Sequence, residues 1–134
     1  MEEDIPGIPA LLEYLRKEGI HSCILYGSAA TGSLRPHSDI DLAIAGDREF
    51  STETLARLYL ETSMILGREV DLRDLRRARG LFLKEILTKG KILLNDDPTF
   101  LGSKAIEMMD YQTDLAPHIN RIREQQIESM LYEK

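Results

Sequence analysis

The stretch Ile24–Ala45, ILYGSAATGSLRPHSDIDLAIA, organises the chain. Its first apolar run, Ile24, Leu25 and Tyr26, breaks at Gly27-Ser28. Ten residues further on, Asp39 and Asp41 bracket Ile40, and a second apolar run follows from Leu42 to Ala45. The pattern predicts strand, tight turn, short helix, loop, strand. Gly27 permits a sharp turn and a close approach of ligand to backbone. Ser28 and the amides after it fall at a helix start, where free N–H groups and the helix dipole favour phosphate oxygens. Asp39 and Asp41 are two apart, so on a strand their carboxylates share one face. Ile40, Leu42 and Ile44 then point into a core. Two carboxylates beside a phosphate cradle make a place for divalent cations and a polyphosphate.

Taken singly, these signals are ordinary: Asp-x-Asp is also a half-buried strand's solvated face, and Gly-Ser is a common turn. Their joint spacing is not ordinary. Gly-Ser, ten residues and then Asp-x-Asp resembles the signature of the DNA polymerase β-like nucleotidyltransferase superfamily. GSAATGSLRPHSDIDLAI looks like its small stand-alone branch, the minimal nucleotidyltransferases, with Gly32, Arg35, Pro36 and Ser38 where that branch usually has them. Thr31 departs from the Arg or Lys of many relatives, and His37 from a common acidic residue; both bear on nucleotide or partner contacts.

Length and composition fit a single domain. A chain of 134 residues buries roughly two-thirds of its unfolded surface, enough for a core without staples. Hydrophobic content is 43% and charged content 30%, ordinary for a globular protein. The lone Cys23 has no intrachain partner and reads as a small core residue, consistent with a reducing cytoplasm. No apolar run reaches the ~18 residues of a membrane span, and the acidic start lacks a basic signal-peptide region. A cytoplasmic protein is expected. The net charge of −6 argues against a surface built for nucleic acid. Residues 68–91 reverse the sign, with eight basic and four acidic groups, and include Arg73, Arg76, Arg77 and Arg79. This block reads either as a solvated face or as a landing strip for triphosphate, RNA or an acidic partner.

In chain order, Pro6 or Pro9 suits a first helical turn, and Ile8, Leu11, Leu12 and Leu15 keep helical spacing until Gly19 ends it. Ile20–Tyr26 is a first strand, with His21 structural. Ser51 or Thr52 caps a helix whose stripe comprises Leu55, Leu58, Tyr59, Thr62, Met64 and Ile65, closed by Gly67. Glu69–Leu72 is a third strand with Asp71 facing outward. Leu81–Thr88 is a short helix using Leu81, Phe82 and Ile86, and Ile92–Leu94 a fourth strand. Asp96 and Asp97 make a turn and cap before Pro98. Thr99–Lys134 reads as helical, with Pro117 as a kink or second start; its methionines fill a core or dock a partner. The expected architecture is α/β, or α+β: a mixed sheet of about four strands flanked by helices, with a core over 1–98 and a C-terminal helical extension over 99–134.

The resemblance implies a polymerase β-like fold and transfer of a nucleoside monophosphate to a hydroxyl. In that superfamily a third carboxylate comes from the strand position of Asp71; Asp74 is a weaker choice because it lies beyond the alternating segment. Asp39, Asp41 and Asp71 would be catalytic and would ligate two Mg²⁺ ions, hard cations suited to oxygen donors. Gly27, Ser28, Arg35 and Ser38 would bind the nucleotide, with ATP as donor. Stand-alone members of this kind are typically encoded beside a HEPN ribonuclease toxin, which they neutralise by binding and by transferring AMP to a toxin tyrosine. The resemblance thus implies an antitoxin whose partners are a HEPN toxin and a nucleoside triphosphate, with no membrane and no direct nucleic-acid contact. Two alternatives stand beside it: a non-catalytic module acting by occlusion, and a transferase acting on a small molecule such as an aminoglycoside.

Overall fold

The computed structural model describes residues 5–32 and 39–111. Within them, helix α1 (Ile8–Lys17) leads into strand β1 (Ser22–Tyr26) and the single turn α2 (Ser28–Thr31). Strand β2 (Ile40–Ala45), helix α3 (Thr52–Leu66) and strand β3 (Val70–Asp74) follow. A 3-10 turn (Leu75–Arg77), helix α4 (Gly80–Lys89), strand β4 (Lys91–Asn95) and helix α5 (Pro98–Asp110) complete the order.

The strands form one sheet in the order β3-β2-β1-β4. β1 is antiparallel to both β2 and β4, whereas β2 and β3 run parallel. The parallel pair needs a crossover, which α3 supplies. This connectivity brings the C-terminal end of β1 and the N-terminal ends of β2 and β3 to one end of the sheet. Tyr26 pairs with Asp41, and Asp41 pairs with Asp71.

Every residue of β1 is buried, as expected of a strand covered on both faces. One face, carrying Leu25, Ile40, Leu42 and Ile44, packs against Leu11 and Leu15 of α1 and Leu58 of α3. The other, carrying Ile24, Tyr26, Ala43 and Ala45, packs against Leu83 and Ile86 of α4 and Leu101 of α5. The alternation in β2 thus serves two cores at once: its large side chains fill one and its alanines admit helices closely on the other.

The helix ends follow local chemistry. Pro9 sits in the first turn of α1, and Arg16 and Lys17 in its last turn oppose the dipole. The Ser51 side chain accepts from the Thr54 amide at 3.1 Å, and Gly67 closes α3 at φ 63°. The Asp97 side chain accepts from the Phe100 amide at 3.4 Å, as the expected cap before Pro98.

Two predicted stripes differ in detail. Met64 is 76% exposed, and Leu66 takes the buried place at the end of α3. In α4 the inward face is Leu83 and Ile86, leaving Leu81 and Phe82 exposed. Among the described residues no helix is long and apolar enough to cross a membrane. The predicted helix beyond Tyr111, including Pro117, lies outside the described residues.

β3 runs two residues beyond its predicted end, and Asp74 explains why. Its buried carboxylate accepts from the Phe50 amide at 2.8 Å and the Arg76 amide at 3.0 Å, tying two loops to the strand. Asp74→Ala leaves both amides without that acceptor. It is expected to cost about 2 kcal/mol, read as a lower midpoint in urea denaturation; an unchanged midpoint would refute this role.

Candidate active site

Gly27 follows β1 at φ 70° and ψ −148°, a conformation essentially reserved for glycine. A Cβ built there would lie 2.2 Å from Asp41 Oδ2. The turn is therefore pressed directly against the Asp41 carboxylate. Ser28 opens α2, and the Ala30 and Thr31 amides donate to the Gly27 carbonyl at 3.2 and 3.3 Å.

Asp41 is the second residue of β2 and is half-buried. Asp71 lies in register with it on the parallel neighbour β3. Asp39, exposed, precedes β2 by one residue. The structure thus gathers Asp39, Asp41 and Asp71 with Gly27 and Ser28 at one end of the sheet. The expected nucleotide contacts Arg35 and Ser38 lie outside the described residues.

Electrostatics ties the carboxylates together. Asp41 titrates above the ordinary carboxylate range, first because burial disfavours its charge, then because Asp71 and Asp39 repel it. Arg73 acts in the opposite sense. Its guanidinium holds Asp71 in a two-pronged contact, Nε to Oδ1 at 3.0 Å and Nη2 to Oδ2 at 3.5 Å. Tyr26 shares this field: burial, Asp71 and Asp41 push its phenol up to about 12. Sequence reading did not single out Tyr26; the i, i+2 spacing on a strand put Arg73 beside the outward-facing Asp71, but not their ion pair.

The Asp41 shift yields a direct test. Arg73→Gln removes the one influence lowering the Asp41 pKa and is expected to move it further upward. Carbon-detected NMR titration of the Asp41 carboxyl reads this; a downward shift would contradict the assignment.

Among the described residues, no three His, Cys, Asp or Glu side chains form a ready metal cage. Asp39 is exposed and Asp71 is paired with Arg73. The donor chemistry nevertheless suits a hard divalent cation: all three groups are carboxylates, and their mutual repulsion at Asp41 is what a cation would relieve. Other groups take structural roles. His21 bridges Ser22 Oγ at 2.8 Å and the Gly46 carbonyl at 3.0 Å. Asp96 is held by Arg16, 2.9 Å away. Cys23 is buried, with its thiol pushed up to about 12.

The fold agrees with the comparisons to known proteins. The family described as polymerase beta, nucleotidyltransferase matches residues 10–99, and the chain belongs to it. The protein adenylyltransferase MntA of Shewanella oneidensis is 29% identical over 89 residues, 65% of this chain and 64% of that protein. The match therefore spans less than two-thirds of that relative's length. A chain from a toxin–antitoxin crystal structure with AMP-PNP superposes with a TM-score of 0.74 at 23% identity, covering 92% of this chain and 98% of that one. A chain from the complex of tri-AMPylated Shewanella oneidensis HEPN toxin with MNT antitoxin gives 0.69 at 20% identity, covering 93% and 96%. At these identities the structural likeness is one of fold.

Proposed function

We propose that this chain is a Mg²⁺-dependent protein adenylyltransferase that transfers AMP from ATP to a tyrosine of a HEPN toxin in the cytoplasm, acting as its antitoxin. The observation that carries this reading is the pairing of Asp41 with Asp71 across β2 and β3, with Gly27 against the Asp41 carboxylate. The names of the similar proteins, an adenylyltransferase and toxin–antitoxin complexes that include an AMPylated toxin, support the substrate class.

In this proposal Asp39, Asp41 and Asp71 hold the cations, while Gly27 and Ser28 receive the polyphosphate, joined by Arg35 and Ser38. Bound magnesium would supply charge neutralisation at the α-phosphate and pyrophosphate. The acceptor oxygen bonds to the α-phosphorus as the bond to the pyrophosphate oxygen breaks. Its proton passes to Asp71, and the bonding pair leaves with pyrophosphate. Gly27 and the carboxylates contribute position and charge, with no covalent enzyme intermediate.

The test is incubation of the full chain with α-labelled ATP and Mg²⁺, with the product of the adjacent gene, if that gene encodes a HEPN ribonuclease, in one reaction and an aminoglycoside in another. Label on a toxin tyrosine is expected. A tight, inhibitory complex that never acquires label would replace transfer with occlusion, and label on an aminoglycoside instead would replace the acceptor.

A further inference from the structure

The arginines that follow Asp71 do not share one task. Arg76 Nε donates to the Gly46 carbonyl at 2.6 Å, Arg77 meets Glu49 at 3.2 Å, and Arg79 meets Glu107 at 3.0 Å. These three are spent on a loop and on α5. Arg73 turns to the carboxylate cluster instead, because it shares the outward face of β3 with Asp71 two residues earlier. Its fork spans both oxygens of Asp71, with Nε 3.0 Å from Oδ1 and Nη2 3.5 Å from Oδ2. On the neighbouring strand Asp71 is level with Asp41 and Arg73 with Ala43. An alanine there offers the guanidinium no competing partner. The Phe82 ring flanks it at 6.0 Å from the centroid, and Tyr26 holds that ring edge-on at 5.7 Å.

This arrangement bears on cation binding. A hard divalent cation takes carboxylate oxygens as ligands at close range. At Asp71 both oxygens already face a guanidinium, and a second positive group beside the first is repelled. The two therefore exclude one another. The contact is also one that can be broken. The Arg73 and Asp71 side chains are 58% and 41% exposed, so water and salt screen the pair and its net hold is weak. An exposed pair yields to a divalent ion, whereas a buried one would lock the site.

The geometry points to Arg73 as a built-in competitor for the metal: it occupies Asp71 until a divalent cation displaces it. Arg73 is then a positioning residue that sets how much cation the cluster requires. It keeps Asp71 beside Asp41 against their mutual repulsion, and its departure frees Asp71 for the acceptor proton. This rests on the proposed use of the carboxylates as a cation site, and not on which acceptor receives the nucleotide.

The test is titration of the full chain with Mn²⁺ alone, without nucleotide, reading free Mn²⁺ by electron paramagnetic resonance. Arg73→Gln is expected to bind Mn²⁺ ~10-fold more tightly than the parent chain. Arg73→Lys is expected to fall between them, since lysine keeps the charge but not the fork. Loss of a merely structural contact would move the affinity the other way. Asp71→Asn supplies a second background, in which the guanidinium has no carboxylate to hold. Adding Arg73→Gln there is expected to change Mn²⁺ affinity by less than ~2-fold. Equal or weaker binding by Arg73→Gln in the parent background would overturn the competition, as would no Mn²⁺ binding by either chain. So would the same gain in both backgrounds, which would make Arg73 a distant charge rather than an occupant of Asp71. Label transfer from ATP is measured separately. Tighter Mn²⁺ binding by Arg73→Gln, in a chain that labels no acceptor, would sustain the competition and sink the transferase reading.

Discussion

Asp41→Asn is expected to cut nucleotidyl transfer by ~10³-fold or more while raising the melting temperature at pH 7. Both effects come from the same crowding. The Asp41 carboxyl is half-buried, in register with Asp71 and close enough to Asp39 to feel its charge. Its pKa is raised in the folded chain, so the folded state binds the Asp41 proton more tightly than the unfolded state does. Folding is therefore disfavoured as pH rises through the window between the ordinary carboxylate value and the raised one, and the cost persists at neutral pH. Asparagine keeps the shape and removes the charge, so the gain in stability should be full at pH 7 and fade as the pH falls through that window. Thermal melts at pH 7 and pH 3.5, with a transfer assay, check all three parts. A variant that melts lower at pH 7 would show that the Asp41 charge is met by partners in the fold itself.

The clustering of the candidate residues was legible in the sequence to the extent that they lie on regular strands. Period-two alternation through Asp39–Ile44 put the carboxylates opposite Ile40, Leu42 and Ile44, and these three are fully buried. Asp71 met Asp41 because Val70 and Leu72 fixed which way β3 faces. Burial pattern also separated Asp71 from Asp74. The first stands half-exposed at the cluster, and the second is buried and spent on backbone amides. What could not be read was long-range placement on helices. Phe82 looks like a core residue by composition, and only the packing of α4 through Leu83 and Ile86 leaves it exposed. Met64 was misplaced for the same reason: an apolar count gives a stripe its width but not its centre. Arg73 belongs to a basic block whose two uses, solvated face or ligand site, composition does not separate; its contact with Asp71 does.

Gly27→Ala tests the other half of the site, and its expected effect on stability is the larger. Alanine at this position meets two separate penalties. The backbone angles, φ 70° and ψ −148°, are strained for any residue with a Cβ, at a cost of roughly 1–3 kcal/mol. The new Cβ also falls 2.2 Å from Asp41 Oδ2, so the carboxylate must rotate or the turn must open. Together these are expected to lower the melting temperature by about 10 °C for a domain of this size. Transfer should be lost even in the folded fraction, because either response separates the turn from the carboxylate. The two penalties divide in a double-mutant cycle. Adding Asp41→Ala removes the collision but not the backbone strain, so the pair should recover part of the lost stability and none of the activity. Strict additivity of the two substitutions would mean that the turn and the carboxylate are independent. The close approach of Gly27 to Asp41 would then be incidental to the site rather than the reason glycine stands there.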